Sequence, residues 1–366
     1  MANDGYRYTL QLYRADGAAL GQAAVEVDWE PAREWARFQA VRRCGTAAIA
    51  SGAVSEPEPL WHESMGAPFI EGFRMTVALP GGGECASDFP VRYFNALASA
   101  ASARLVESGA LKNGDRYQYA AAAFPNGAAG RAAEAQAFQV EEEPPELPVA
   151  GAEIGRYLRD SALVGQEEAA DLKVFVPDYV LEEAVLLARE APGRETGGVL
   201  VGHLRRDPEI SDIFAEVTAQ LPARHTVSEA AKLTFTPATW TGIRAALNLR
   251  RRGELMLGWW HSHPVRDWCP ECPPEKKRRC RLARDFYSEH DMALHRAVFP
   301  AAFTIGLVLN GLGGDDATFS AFGWRRGMLE PRGFRVLGAA ADMVRRPAAE
   351  TVTGEQEKTK NACART

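Results

Sequence analysis

Residues 256–264 read Met-Leu-Gly-Trp-Trp-His-Ser-His-Pro, and this stretch restricts the fold of the chain more than any other. Met256 to Trp260 is an apolar run after the charged turn Arg250-Arg251-Arg252-Gly253-Glu254, which is the pattern of a buried strand. Side chains on a strand alternate between faces, so His261 and His263 share one face while Ser262 points away. Downstream, Ser288 and Asp291 stand three residues apart, on one face of a helix if Ser288 opens it. Two neutral imidazoles and a carboxylate make a three-ligand set that leaves the fourth tetrahedral position of a zinc ion for water. The structural alternative is that Ser288 is an ordinary N-cap and Asp291 completes a capping box. His-x-His alone is a weak signal, but nothing structural requires two histidines at a strand end just before a proline.

In combination these residues resemble the JAMM/MPN (JAB, Mov34/PAD-1) zinc metallopeptidase family, whose motif is an upstream glutamate, then His-x-His-Pro, a spacer, and Ser-x-x-Asp. The upstream element looks like Glu195-Thr196-Gly197-Gly198-Val199-Leu200-Val201-Gly202, and Lys232-Leu233-Thr234-Phe235-Thr236-Pro237 before a helix is also similar to the family. The resemblance implies that His261, His263 and Asp291 bind zinc, that Glu195 is the general base and that Ser288 steadies the tetrahedral intermediate. It also implies an α/β (α+β) fold in which a mixed sheet is flanked by helices and the metal lies at the sheet edge. One departure from the family is clear: its spacer between Pro and Ser is short, whereas here Val265 to Tyr287 intervene. The likeness is to the bacterial, deubiquitinase-like members, with a cysteine-containing insertion.

The same chemistry follows from the residue types. Amide hydrolysis needs a strong nucleophile, and zinc lowers the pKa of water from about 15.7 to about 7. A carboxylate beside that water can take its proton and return it to the leaving amine. Glu195, at a Glu-Thr-Gly-Gly turn entering the strand Val199-Leu200-Val201, suits this role; on its own it would read as a solvated loop residue.

The insertion carries a second pattern. Cys269-x-x-Cys272 is followed by Cys280 and flanked by Pro270, Pro273 and Pro274. A second, structural zinc on Cys269, Cys272 and Cys280 would lack one ligand, which His290, His295 or a residue from elsewhere would supply. Free thiols and a redox pair are the other readings. Lys276, Lys277, Arg278, Arg279, Arg281 and Arg284 form a charge run, read as a solvated face or as a basic rim for an acidic partner. Nucleic acid ranks below protein as that partner, because the chain carries a net charge of −6 and the run lacks interleaved aromatics.

A chain of 366 residues is long enough for two domains. The proline- and acid-rich run Glu141-Glu142-Glu143-Pro144-Pro145-Glu146-Leu147-Pro148 can continue neither helix nor strand and marks the boundary. The expected division is a separate α+β amino-terminal domain over 1–140, a linker over 141–171, the JAMM/MPN-like domain over 172–335 and a polar, disordered tail over 336–366. In the first domain, Tyr6 to Tyr13, Ala23 to Trp29, Gly72 to Leu79 and Arg116 to Phe124 read as strands, and Phe94 to Ser108 as a helix. In the second, Asp171 to Pro177 reads as an edge strand, Tyr179 to Arg189 and Thr239 to Arg250 as helices, and Ile213 to Leu221 and Phe303 to Leu309 as strands. Trp259, Trp260 and Trp324 read as core or groove-wall aromatics.

No apolar run approaches the ~20 residues of a membrane span, no secretory signal is evident, and six unevenly spread cysteines do not form a disulfide framework. A cytoplasmic setting is expected. The resemblance implies a zinc isopeptidase or peptidase acting at the C-terminal tail of a ubiquitin-like protein or its conjugates, in a pathway with activating and conjugating enzymes as further partners. The amino-terminal domain is expected to bind the partner or substrate. The alternatives are a non-catalytic MPN-type scaffold, and a hydrolase that removes a small adduct or acts on a sulfur-carrier protein.

Overall fold

The computed structural model describes residues 5–45, 53–80, 82–126, 147–224, 226–229, 232–264, 273, 286–310 and 317–338. Cys269, Cys272, Cys280, the basic run 276–284 and residues 339–366 of the expected tail lie outside these residues, whereas 336–338, expected to open that disordered tail, are ordered, with Val336 fully buried in a strand.

The amino-terminal half is built from β1 (Tyr6–Arg14), β2 (Ala19–Val25), α1 (Glu30–Cys44), β3 (Glu58–Trp61), β4 (Phe69–Ala78), β5 (Glu84–Pro90), α2 (Asn95–Glu107) and β6 (Tyr117–Pro125). Its sheet runs β2-β1-β6-β4-β3, with β5 also paired to β4. Alternation along β1 sends Tyr8, Leu10 and Leu12 into the core. The strand expected over Ala23 to Trp29 ends at Val25, and the chain turns into α1, which has Pro31 in its first turn.

The second half comprises β7 (Val149–Gly151), α3 (Ile154–Arg159), β8 (Ser161–Val164), β9 (Lys173–Pro177), α4 (Asp178–Arg189), β10 (Gly197–Arg206), β11 (Ile213–Pro222), β12 (Val227–Glu229), β13 (Lys232–Thr234), α5 (Pro237–Arg250), β14 (Leu255–Ser262), α6 (Glu289–Val298), β15 (Ile305–Asn310), β16 (Thr318–Arg325), β17 (Met328–Arg332) and β18 (Phe334–Leu337). A ten-stranded mixed sheet follows the order β17-β16-β15-β14-β10-β11-β9-β18-β8, with β7 added on β10. β14 and β15 are parallel, as are β9 and β11, and the other contacts around β14 are antiparallel.

Two expectations are corrected here. β9 is an internal strand, hydrogen-bonded to β11 on one side and β18 on the other. Val174, Phe175 and Val176 are accordingly all buried, as a strand covered on both faces requires. Residues 149–164, expected within a linker, are folded into the second sheet through β7 and β8. The α3 start is tied down by Asp207, whose carboxylate accepts from Ile154 N at 2.7 Å, and Ile154 packs with Phe175 and Phe214.

The two sheets are separate, yet one continuous apolar core runs between the halves. α1 forms the joint. Phe38 packs against Phe303 with ring centroids 5.8 Å apart. Arg42 makes a two-pronged ion pair with Asp212, both contacts at 2.9 Å, and Arg206 donates to the Val41 carbonyl at 2.9 Å. At the β16–β17 turn, Gly327 (φ 71) lies so close to Ala32 that a Cβ would meet its backbone nitrogen at 2.9 Å.

Candidate metal centre

The site grows out of the end of β14, which is not a lateral edge: the strand pairs with β10 on one side and β15 on the other. The expected place at the sheet edge is therefore corrected to the end of an inner strand. Gly258 lets β14 and β15 approach there, since a Cβ at that position would run into the Ile305 carbonyl. Beyond it the side chains alternate as the strand period demands. Trp259, His261 and His263 share one face, and Trp260 and Ser262 the other. Trp259, Trp260 and Trp324 are core residues, each at most 2 % exposed.

Nε2 of His261 and Nε2 of His263 lie 3.0 Å apart, and Nε2 of His261 is 3.5 Å from Oδ2 of Asp291. All three donor atoms lie within 4.8 Å of one another, and all three residues are buried. His263 turns Nδ1 toward Oδ1 of Asn310 at 3.1 Å. A carbonyl oxygen only accepts, so Nδ1 carries the proton and Nε2 presents a lone pair to the site. Phe286 stacks on the His263 ring with centroids 4.5 Å apart. Burial, followed by the neighbouring His261, lowers the pKa of His263 and keeps its ring neutral.

Asp291 arrives from α6, where Ser288 is the N-cap. The Ser288 hydroxyl accepts from Asp291 N at 3.1 Å and donates to Asp291 Oδ2 at 2.7 Å, while Ser288 N donates to the same oxygen at 2.8 Å. The capping box is present, and the same arrangement fixes the Asp291 carboxylate beside His261. Burial opposes ionisation of Asp291, but the bond and charge of His261 and the two Ser288 donors outweigh it and hold the carboxyl below its ordinary range.

Glu195 stands just before β10 and is 5 % exposed. Its backbone neighbourhood is clamped to β14: Ser262 N donates to Thr196 O at 2.8 Å, and Thr196 N donates to Ser262 Oγ at 3.1 Å. Burial raises the Glu195 carboxyl to about 7, assisted by the charge of Asp291 and opposed by His261 and by the Leu233 N–H. That value places a carboxylate base near neutrality. The structure thus gathers His261, His263, Asp291, Ser288 and Glu195 in one place.

Two further site residues were not among those expected from sequence: Asn310, which orients His263, and Ser262, which anchors the Glu195 segment. His295, considered as a ligand for the cysteine loop, is instead fully buried beneath the site, and His290 is exposed. Among the described residues, His261, His263 and Asp291 form the only group of three or more side chains that could hold a metal ion.

Residues 177–267 match the family model for prokaryotic homologs of the JAB domain. This relates the segment to the MPN/JAB family. The matched stretch contains Glu195, His261 and His263 and ends before Ser288 and Asp291. No curated protein matches the chain. Among solved structures it is similar to a protein from Desulfitobacterium hafniense, at 20% identity over 44% of this chain and 92% of the other, with a TM-score of 0.27. It is also similar to one from Salinibacter ruber, at 18% identity over 51% of this chain and 100% of the other, with a TM-score of 0.25. A likeness at that level carries no argument about chemistry. No helix among the described residues is long and apolar enough to cross a membrane.

Proposed function

We propose that the chain is a zinc-dependent isopeptidase or peptidase that cleaves at the C-terminal tail of a ubiquitin-like protein, in deconjugation or precursor processing. The observation that carries this reading is the buried convergence of His261, His263 and Asp291 beside Glu195. The donor set suits zinc: two imidazole nitrogens, one of them with its lone pair directed inward by Asn310, and a carboxylate kept ionised by its neighbours. When bound there, zinc supplies Lewis acidity, polarising a carbonyl oxygen and lowering the pKa of a water at its open position.

The chain's own groups do the rest. Glu195 removes a proton from the attacking water and delivers it to the amine nitrogen as the C–N bond breaks, so the acyl carbon gains the oxygen and the amine the hydrogen. Its raised pKa suits both halves of that transfer. Ser288 stands at the N-terminus of α6 and turns its hydroxyl from Asp291 Oδ2 to the developing oxyanion, while its N–H continues to hold Asp291. A ubiquitin-like tail is thin and extended, and such segments are bound by adding a strand beside a sheet. The body of the partner is assigned to the amino-terminal half or the insertion, and the activating and conjugating enzymes of the same pathway are further proposed partners.

The test uses a ubiquitin-like protein fused to a short peptide, the peptide alone, and the full chain in wild-type and His263→Ala forms. The wild type is expected to contain zinc and to cut only the fusion, and His263→Ala to lose one equivalent of zinc together with all cleavage. Equal cleavage of both substrates would replace this reading with removal of a small adduct. Unchanged zinc in His263→Ala would overturn the ligand assignment.

A further inference from the structure

The two histidines at the end of β14 are steadied in different ways. His263 is oriented through its outer nitrogen by Asn310, the usual arrangement for a ligating imidazole. His261 is fully buried as well, yet among the described residues its Nδ1 has no hydrogen-bond partner. What lies against it is an aromatic face. The indole of Trp259 is stacked on the imidazole with centroids 4.5 Å apart and planes inclined by 15°. The indole therefore defines the plane in which His261 can aim Nε2.

That indole is itself held from below. Trp259 Nε1 donates to Nδ1 of His295 at 3.2 Å. An indole N–H can only donate, so Nδ1 of His295 carries its lone pair and the proton sits on Nε2. Nε2 faces Oγ1 of Thr304 at 3.2 Å, and that hydroxyl donates onward to the Phe299 carbonyl at 2.7 Å. The Tyr287 hydroxyl lies 2.9 Å from the same Nδ1 and also accepts from the Trp259 indole, so it links the indole to the imidazole, and its ring stacks on Phe322 at 4.7 Å. Burial pushes the His295 imidazole down to about 3, so the chain of bonds keeps one tautomer through neutral pH. The mechanism uses none of these groups. His295 is fully buried with each ring nitrogen bonded, so its orientation is fixed by these partners.

We propose that His295 is a positioning residue for the metal centre: through the Trp259 indole it fixes the ring plane of His261 and hence the direction of its Nε2 lone pair. This rests on reading His261, His263 and Asp291 as zinc ligands. It predicts that the hydrogen-bonding pattern of His295, and not merely its bulk, sets zinc affinity and ligand geometry. A glutamine can reproduce that pattern, with its amide oxygen accepting from the indole and its NH2 donating to Thr304, whereas leucine fills similar space and does neither.

The experiment compares the full-length wild type with His295→Leu, His295→Gln and Trp259→Phe. Zinc affinity is read by competition with a chelating dye and ligand geometry by the visible spectrum of the cobalt-substituted protein. His295→Leu is expected to weaken zinc binding by roughly 10- to 100-fold, the usual effect of losing a group behind a ligand, and to shift the cobalt bands. His295→Gln is expected to restore both. Trp259→Phe keeps an aromatic ring under His261 but severs the bond to His295, and is expected to resemble His295→Leu; it decides the matter if the leucine variant does not fold. Wild-type affinity and an unshifted cobalt spectrum in folded His295→Leu, or in Trp259→Phe, would overturn the proposal. Absence of zinc binding by the wild type would instead overturn the ligand reading beneath it.

Discussion

At the scale of the residue, Glu195 is the position where fold and chemistry can be separated most cleanly. Its carboxyl is buried, raised to about 7 and accepts from the Leu233 N–H, a bond a glutamine oxygen can also accept, while Ser262 clamps the neighbouring Thr196 backbone. Glu195→Gln should therefore leave the clamp, the ligand set and the melting temperature close to wild type while turnover falls by about 100- to 10,000-fold. Zinc content, thermal melting and steady-state rates on one preparation check this. Near-normal turnover would remove Glu195 as the base. His261, His263, Ser288 and Asp291 were legible in sequence because their relations are local: period two on a strand, and a capping box across three residues. Asn310, Ser262 and His295 act across 47, 66 and 36 positions respectively, and no local period reports a hydrogen bond between such distant residues.

At the scale of the element, the joint between α5 and β14 decides where the ligand strand begins. α5 ends at Arg250, Arg251 adopts a left-handed conformation (φ 50), and Gly253 (φ 62) completes the reversal. Glu254 then accepts two bonds from Arg250, at 2.6 and 2.7 Å, and another from the Thr218 hydroxyl on β11. Its side chain is only 1% exposed. The Arg250 bonds, against a cost of burial and with help from Thr218, lower its carboxyl from 4.5 to about 2. A carboxylate with a depressed folded pKa stabilises above its unfolded value and loses that contribution as pH falls through the folded one. Glu254→Gln should thus cost about 1–3 kcal/mol at pH 7, and the gap in melting temperature from wild type should close between pH 4.5 and about 2. Melts across that range measure it; a gap independent of pH would show that the charge is not what matters. Helix α4 was readable from its apolar period, α5 from Pro237 at its start, and strands β14 and β15 from their continuous apolar content. α1 was not, since its buried face mixes Trp35 and Phe38 with Gln39 and Arg42, which blurs any apolar stripe. The pairing of β7 and β8 was hidden behind the proline-rich run that precedes them.

At the scale of the whole molecule, one apolar core runs through α1 and joins the two sheets. Far-UV circular dichroism and tryptophan fluorescence are expected to report a single coincident unfolding transition. Phe38→Ala opens a cavity at the joint, where Phe38 is 2% exposed against Phe303, and should destabilise that one transition by about 3–5 kcal/mol. Two resolved transitions, or loss of the amino-terminal signal alone, would show that the halves unfold independently. The acidic, proline-rich stretch suggested a linker between separate domains, but contacts that join the halves are made by α1, about a hundred residues upstream of it.

The placement of α1 also bears on how such a chain can be inherited. Recombination at the proline-rich boundary would part Phe38 from Phe303 and Arg42 from Asp212, leaving an uncovered apolar face on one product and an unmatched carboxylate on the other. The amino-terminal half is therefore a poor cassette for shuffling onto other domains. Changes on the two sides of the joint are tolerated best when they arise together, so the halves should diverge as a pair.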